Sequence, residues 1–308
     1  MGTITKINWT ARPDREGKMQ PGATYNPWIG CTKVSQECRH CYAEAQDSRW
    51  GWTPAGWGHG KERHYTGESG VRTLQQLNRA SRREGSRRAV FCGSLCDVFD
   101  PEVPDERRDE LFEHIWCFDS LEWLLLTKRP EVAARYLATI RGWPWPHVRL
   151  GVSCGTAEAW ARWLCLSEIP SFTRFCSMGP LLEFIPLNEL LSGCRVKPDW
   201  IIAEGESCPV ATRARPMAPE WVREIRDACW LHLIPFWFKQ WGEWAPLSAL
   251  EGQPQASGAI RGGAMVPRHD FGDEMVYCVG VKTAGRTLDH REHSGLPQSI
   301  RIDRPKGE

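Results

Sequence analysis

The sequence predicts an α/β fold: a partial (β/α) barrel of parallel strands followed by a small C-terminal β appendage. Three observations predict it. Short apolar runs alternate with helical stretches of roughly ten to fifteen residues, the pattern of parallel strands joined by crossover helices. Each apolar run ends in small or polar residues, as strands do at the C-terminal face of a barrel, where sites form. After Gly242 the alternation stops, and residues 245–272 are rich in Pro, Gly, Ala and Ser without a period. The polar strand tips suit a doubly wound open sheet equally well, and the sequence leaves that alternative open.

The elements follow in order. Residues 1–23 read as irregular, and Thr24–Ile29 as the first strand. A helix is expected from Cys38 to about Trp50, then a long Gly-, Trp- and His-rich loop from Trp50 to Gly70. Loops of that length in compact domains tend to be functional or mobile. Leu74–Arg83 reads as a helix that runs into the basic stretch R-R-E-G-S-R-R at 82–88. That stretch is either a solvated helix end or an edge that contacts phosphates. Strands are then expected at Ala89–Cys92, Trp123–Leu126, His147–Val152, Thr173–Cys176, Trp200–Ala203 and Ile234–Phe238. Helices fall between them at Pro104–Phe118, Pro130–Ile140, Ala157–Leu166 and Pro219–Trp230. Met275–Val281 and residues 282–289 read as a β-hairpin. The barrel is expected over residues 1–244 and the appendage, packed on it, over 245–308.

Composition narrows the class. A chain of 308 residues with net charge +1 can bury a large core and carries no global electrostatic footprint for nucleic acid. A local basic surface remains compatible with that balance. Thirteen cysteines, an odd number, come without an n-region and h-region at the start of the sequence. No run of about 18 apolar residues suggests a membrane span. These features predict a reducing, cytoplasmic setting with free thiols and no membrane partner. Seventeen tryptophans are many; most are expected in the core, a minority in a pocket where they stack on bases.

Cys31, Cys38 and Cys41, spaced C-x6-C-x2-C, require a joint explanation. Thiolates are soft ligands that select zinc, Cu(I) or iron–sulfur clusters. A four-iron, four-sulfur (4Fe-4S) cluster held by three cysteines leaves one iron open to a small molecule. The other readings are a zinc site completed by His40, His59 or His64, and three ordinary buried thiols. The strand tips supply further candidates: Gly93, Ser94 and Asp97; Lys128 and Arg129; Ser153; Ser177; Glu204, Glu206 and Ser207; Lys239 and Gln240. Cys92, Cys96, Cys154, Cys176 and Cys208 also fall at or near strand ends. They read as small packing residues or, less simply, as a second cluster or a thiol hydrogen donor.

The closing C-x2-C followed by Tyr42 resembles the signature of radical S-adenosylmethionine (SAM) enzymes, although the first gap is longer than theirs. Residues 26–44, N-P-W-I-G-C-T-K-V-S-Q-E-C-R-H-C-Y-A-E, closely resemble the phage-associated Gp37/Gp68 or DUF5131 family. The similarity extends to G-S-L-C-D-V-F (93–99), L-L-T-K-R-P (125–130), L-G-V-S (150–153), G-P-L-L (179–182), G-E-S (205–207), R-P-M (215–217) and F-K-Q-W-G (238–242). Where the family pattern carries a glutamate, this chain has Gly155 and Gly179; where it carries glycines flanking G-E-S, this chain has Glu204 and Cys208.

The resemblance implies a radical SAM-type barrel in which Cys31, Cys38 and Cys41 ligate a 4Fe-4S cluster and SAM is the second cofactor. By position it implies Tyr42, Gly93, Ser94, Asp97, Ser153, Ser177 and Glu204 on the cofactor. Lys128, Arg129, Glu206, Lys239 and Gln240 would then face the substrate. A flavodoxin- or ferredoxin-like reductant is implied as partner. For the substrate the expectation is a nucleic-acid base, modified or repaired. It draws on the phage association, the 82–88 stretch, Lys128–Arg129 and the tryptophan loop. The rival expectation is a zinc-stabilised nucleic-acid-binding protein without redox chemistry. A weaker one is a barrel that keeps its cluster only as a scaffold.

Overall fold

The computed structural model describes residues 2–251, 256, 258, 260 and 265–298. Its main sheet contains β1 (Gly2–Ile4), β2 (Ala23–Tyr25), β3 (Arg88–Cys92), β4 (Leu121–Thr127), β5 (Val148–Ser153), β6 (Thr173–Met178), β7 (Trp200–Glu204) and β8 (Phe236–Gln240). They lie side by side in chain order. β1 is antiparallel to β2, and β2 to β8 are all parallel. A doubly wound sheet reverses its order at a switch point. This one does not, and its seven parallel strands curl into a half-barrel.

Helices α1 (Tyr42–Trp50), α2 (Ser69–Glu84), α3 (Asp105–Cys117), α4 (Pro130–Leu137), α5 (Trp160–Ser167), α6 (Leu187–Ser192) and α7 (Pro219–Leu231) connect the strands. The sequence periodicity anticipates all but α6, which is too short to show a period. Alternation along the strands divides the side chains between two layers. Val90, Cys92, Leu125, Val152, Cys176 and Ile201 join the helix-facing core, and Phe91, Leu124, Phe175, Trp200, Ile202 and Trp237 fill the concave interior.

The interior is layered along the barrel axis. At the N-terminal end of the strands Glu122 is buried between two arginines. It accepts from Arg12 Nε at 2.8 Å and from Arg149 Nη2 at 3.3 Å. Above it Trp9, on a 3-10 turn at Asn8–Thr10, plugs the half-barrel, its ring 4.8 Å from Phe91 and 5.9 Å from Trp200. Gly151 leaves room for the Phe175 ring, which a Cβ there would meet at 2.4 Å. The third layer is polar. On β5 to β8 the inward series ends at Ser153, Ser177, Glu204 and Lys239.

Three expectations about elements are corrected. The first strand divides: Ala23–Tyr25 joins the main sheet, while Trp28–Ile29 pairs with His64–Tyr65. The helix expected from Cys38 starts only at Tyr42, because Gln36–Cys38 is a separate 3-10 turn and Cys41 is extended. The expected C-terminal hairpin is a three-stranded sheet instead. Its β11 (Met275–Cys278) pairs with both β9 (Trp244–Pro246) and β10 (Arg268–Asp270), and Val281–Ala284 is a helical turn. Parts of the Pro/Gly-rich stretch, 252–255, 257, 259 and 261–264, and the tail from 299 lie outside the described residues. No helix among those described is long and apolar enough to cross a membrane.

Burial opposes the charge on Glu122, but Arg12 and Arg149 outweigh it and hold its carboxyl down at about 2. Because the folded value lies below the unfolded one, this contribution is whole above about pH 5 and is lost as pH falls toward 2. Glu122→Gln leaves two buried guanidinium groups unneutralised and should cost about 3–5 kcal/mol at pH 7. Urea unfolding at pH 7 and at pH 3 checks this: the gap between wild type and variant should shrink at pH 3, and a constant gap contradicts it.

Candidate metal centre at the barrel mouth

Residues 31–41 leave β2 and cross the C-terminal mouth of the half-barrel, tied at four places to the loops that follow the strands. After β4, Arg129 Nη2 donates to the Thr32 carbonyl at 2.6 Å. After β5, the Gly155 N–H donates to Glu37 Oε1 at 2.7 Å, and Arg162 Nη1 to Glu37 Oε2 at 2.8 Å. After β7, Glu206 lies 2.9 Å from His40 Nδ1 and is gripped by Arg215, whose backbone N–H donates at 2.8 Å and Nε at 3.0 Å. Arg215 Nη2 also reaches the Gln36 carbonyl at 3.1 Å. From the side, Arg63 pairs with buried Asp100 at 2.8 Å and donates to Thr32 Oγ1 at 2.6 Å.

Each sulfur has its own donors. Arg129 Nη1 lies 3.6 Å from Cys31 Sγ. Cys38 is approached by the backbone N–H groups of Val34 and Ser35, by the Ser35 hydroxyl at 3.9 Å and by the Lys128 charge. Cys41 precedes α1 and takes the N–H groups of Ala43 and Glu44 in its first turn. Burial pushes Cys31 up to about 12, with Asp97 adding and Arg129 opposing. Burial also opposes ionisation of Cys38, yet Lys128 and the N–H donors prevail and lower it. Cys41 is raised by burial against its N–H donors.

Donors around a sulfur stabilise its anionic, metal-bound form, so the chemistry of this loop fits a group held by three thiolates. As the side chains stand, no three His, Cys, Asp or Glu residues among those described converge as a metal site. A shared ion therefore requires the sulfurs to turn toward one another.

The other expected residues divide into free and committed groups. Lys128 is half-buried, makes no ion pair within 4.0 Å among the described residues, and places its charge on Glu37, Cys38 and Cys41. Arg129, by contrast, is 4% exposed and bound to Asp97 at 2.9 Å. Asp97 also accepts from Thr127 Oγ1 at 2.7 Å, from the Lys128 N–H at 3.0 Å and from the Phe99 N–H at 3.0 Å. Neither of this pair is a free group at the mouth. Glu206 is likewise consumed by Arg215 and His40.

Gly93, at φ +84°, turns the chain after β3, and Ser94 is held by Asn26 Nδ2 at 3.0 Å while its carbonyl accepts from the Tyr42 hydroxyl. Glu204 pairs with Lys239 at 2.7 Å, and Gln240 Nε2 lies 3.3 Å from it. The Glu204 side chain occupies the space over Gly179, where a Cβ would meet its Cγ at 2.5 Å. Gly179 and Glu204 are thus coupled: a carboxylate reaches this spot from β7, and the residue after β6 must then be small. Ser153 and Ser177 are buried just below the mouth.

Two sequence features move elsewhere. The 82–88 stretch joins the end of α2 to the start of β3, where Arg88 pairs with Glu84 at 3.1 Å and Arg87 reaches the carbonyl of Leu121, the first residue of β4. It lies at the opposite end of the barrel from the cysteines, so it is not an edge of this site. In the tryptophan loop, Trp52 and Trp57 pack against the buried cluster of Ile29, Ala43 and Leu95, as Cys41 also does, while Trp50 is exposed. Cys92, Cys154 and Cys176 are core thiols, with Cys92 pushed up by burial.

Sequence reasoning missed Glu37, Arg162, His40 and Arg215 as the fastenings of the loop. The only signal was a lone acid and a lone histidine inside the cysteine motif. With its lowered thiol, Cys38 should be alkylated by iodoacetamide before Cys31 and Cys41 in metal-free protein at pH 8. Lys128→Gln should remove that preference. Peptide mass spectrometry reads the order, and equal rates for all three contradict it.

No curated protein and no solved structure matches the chain. One family model does, over residues 5–297, and it is described as a protein of unknown function. With nearly its whole length covered, the chain belongs to the DUF5131 family.

Proposed function

We propose that this protein is a radical SAM enzyme that holds a 4Fe-4S cluster on Cys31, Cys38 and Cys41 and acts on a nucleic-acid base. The observation that carries the reading is the cysteine loop itself: three thiols with their own donors, fastened across the C-terminal mouth of a parallel half-barrel. When bound, such a cluster supplies an electron that cleaves SAM to methionine and a 5′-deoxyadenosyl radical able to take a hydrogen atom from substrate.

The chain's own residues do the rest. Gly93 and Ser94, held by Asn26 and Tyr42, offer a backbone turn beside the centre for the polar end of SAM. Glu204, Lys239 and Gln240 offer paired donors and acceptors on the far side of the mouth. Lys128 provides a cation without a fixed partner, suited to an anionic substrate. Trp50, exposed at the C-terminal end of α1 with Arg49 over its ring at 5.0 Å, supplies a face for stacking. Trp52 and Trp57 pack on the same apolar cluster of Ile29, Ala43 and Leu95 as Cys41. The reading places the enzyme in the cytoplasm with a flavodoxin- or ferredoxin-like reductant.

One observation favours a second reading, a zinc-stabilised nucleic-acid-binding protein. His40 is held through Nδ1 by Glu206, as a metal-ligating histidine is held by an outer carboxylate. The two readings differ in a direct assay. Protein reconstituted anaerobically, reduced with dithionite and given SAM should release 5′-deoxyadenosine, and Cys31→Ala, Cys38→Ala and Cys41→Ala should each abolish it. Lys128→Ala should retain SAM cleavage while weakening binding of a single-stranded oligonucleotide by about tenfold, the scale of one lost charged contact. Reconstituted protein that leaves SAM intact would falsify the enzymatic reading.

A further inference from the structure

We infer that Arg129 is a positioning residue for the metal centre: it donates a hydrogen bond to the Cys31 sulfur and thereby sets how readily the bound centre accepts an electron. The inference rests on the iron–sulfur reading above. It replaces the expectation, drawn from residue type alone, that the Lys128–Arg129 pair jointly faces substrate.

The geometry separates the two neighbours. Arg129 is 4% exposed, so its guanidinium has no access to a substrate at the mouth. One of its terminal nitrogens lies 3.6 Å from Cys31 Sγ and 2.9 Å from Asp97 Oδ2, and the other donates to the Thr32 carbonyl at 2.6 Å. The planar fork thus grips Cys31, the residue after it and a buried carboxylate at once, which a lysine ammonium on a flexible stem does not reproduce. Its own backbone is fixed, since its N–H donates to Thr127 Oγ1 at 2.9 Å.

Charge bookkeeping points the same way. Asp100 lies 3.8 Å from Arg129 but is neutralised by Arg63 at 2.8 Å. That leaves Arg129 divided between Asp97 and the sulfur. Among the described residues, no other guanidinium donates to a sulfur of the three cysteines. Hydrogen bonds to ligand sulfurs are among the determinants of cluster potential, because they favour the more negative, reduced state.

The test compares wild type, Arg129→Lys and Arg129→Gln after anaerobic reconstitution, with EPR-monitored reductive titration, iron and sulfide content and thermal unfolding. The expected result is a midpoint potential that falls from wild type to R129K and further to R129Q, with R129K keeping its iron and its unfolding temperature. Equal potentials in folded, loaded variants overturn the inference. Should neither variant fold, wild type grown on 15N-arginine decides: pulsed EPR of the reduced cluster should show coupling to a guanidinium nitrogen, and its absence overturns the inference. Wild type that takes up no iron and sulfide removes the underlying reading and this inference together. A wild-type cluster indifferent to Arg129 removes the inference alone.

Discussion

The buried pair of Arg129 and Asp97 at the end of β4 is the constraint on which the mouth of this protein depends. Asp97 follows β3 and Arg129 follows β4, so their contact locks two adjacent strand ends, and through Thr32 and Cys31 it locks the loop that leaves β2. Breaking one partner of such a pair would leave the other charged and buried, a cost of several kcal/mol. The same logic recurs around the rim. Glu37 fixes the loop to β5 through Gly155 and Arg162, and Glu206 fixes it to β7 through Arg215 and His40. A loop of this length would otherwise sample many conformations; these ion pairs select one.

The half-barrel is polarised along its axis, and the polarity explains how fold and site coexist. The Arg12–Glu122–Arg149 cluster closes the bottom, the Trp9 layer supplies the apolar middle, and the strand tips supply a polar top. Stability is concentrated in the lower two layers, where side chains are dry and close-packed. The upper layer is then free to carry groups with incomplete partnering, of which Lys128 is the clearest. Its charge falls on two of the three cysteines and on Glu37, which makes it the residue most able to respond to what enters the mouth.

Much of the fold was legible in the sequence because parallel strands buried on both faces announce themselves as apolar runs with polar ends. Leu121–Thr127 and Val148–Ser153 are plain cases. The open-sheet alternative was not separable, because strand order depends on tertiary pairing that no local pattern encodes. α6 was missed for its six residues, and the C-terminal sheet because β9 pairs with β11 across about thirty residues of sequence. In the site, the three cysteines, Lys128, Glu204 and Lys239 stood out singly by type and position. Glu37, Arg162 and Arg215 did not, and His40 did so only as a candidate zinc ligand, since a single charged residue gives no sign of which distant loop it will meet. Arg129 was legible as important but not in its role, because the sequence shows a cation and only burial shows that it is already engaged. The 82–88 stretch misled for the reverse reason: charge density is local, while the end of the barrel it occupies is set by strand direction.

The central claim is that the cysteine loop holds a redox-active iron–sulfur centre. The most direct measurement is the metal and sulfide content of the protein purified without oxygen, taken with its visible absorption. The account predicts brown protein with about four irons and about four sulfides per chain and little zinc, as three cysteines holding one four-iron cluster require. A colourless protein carrying one zinc and no sulfide would contradict it and leave the zinc-binding reading in its place.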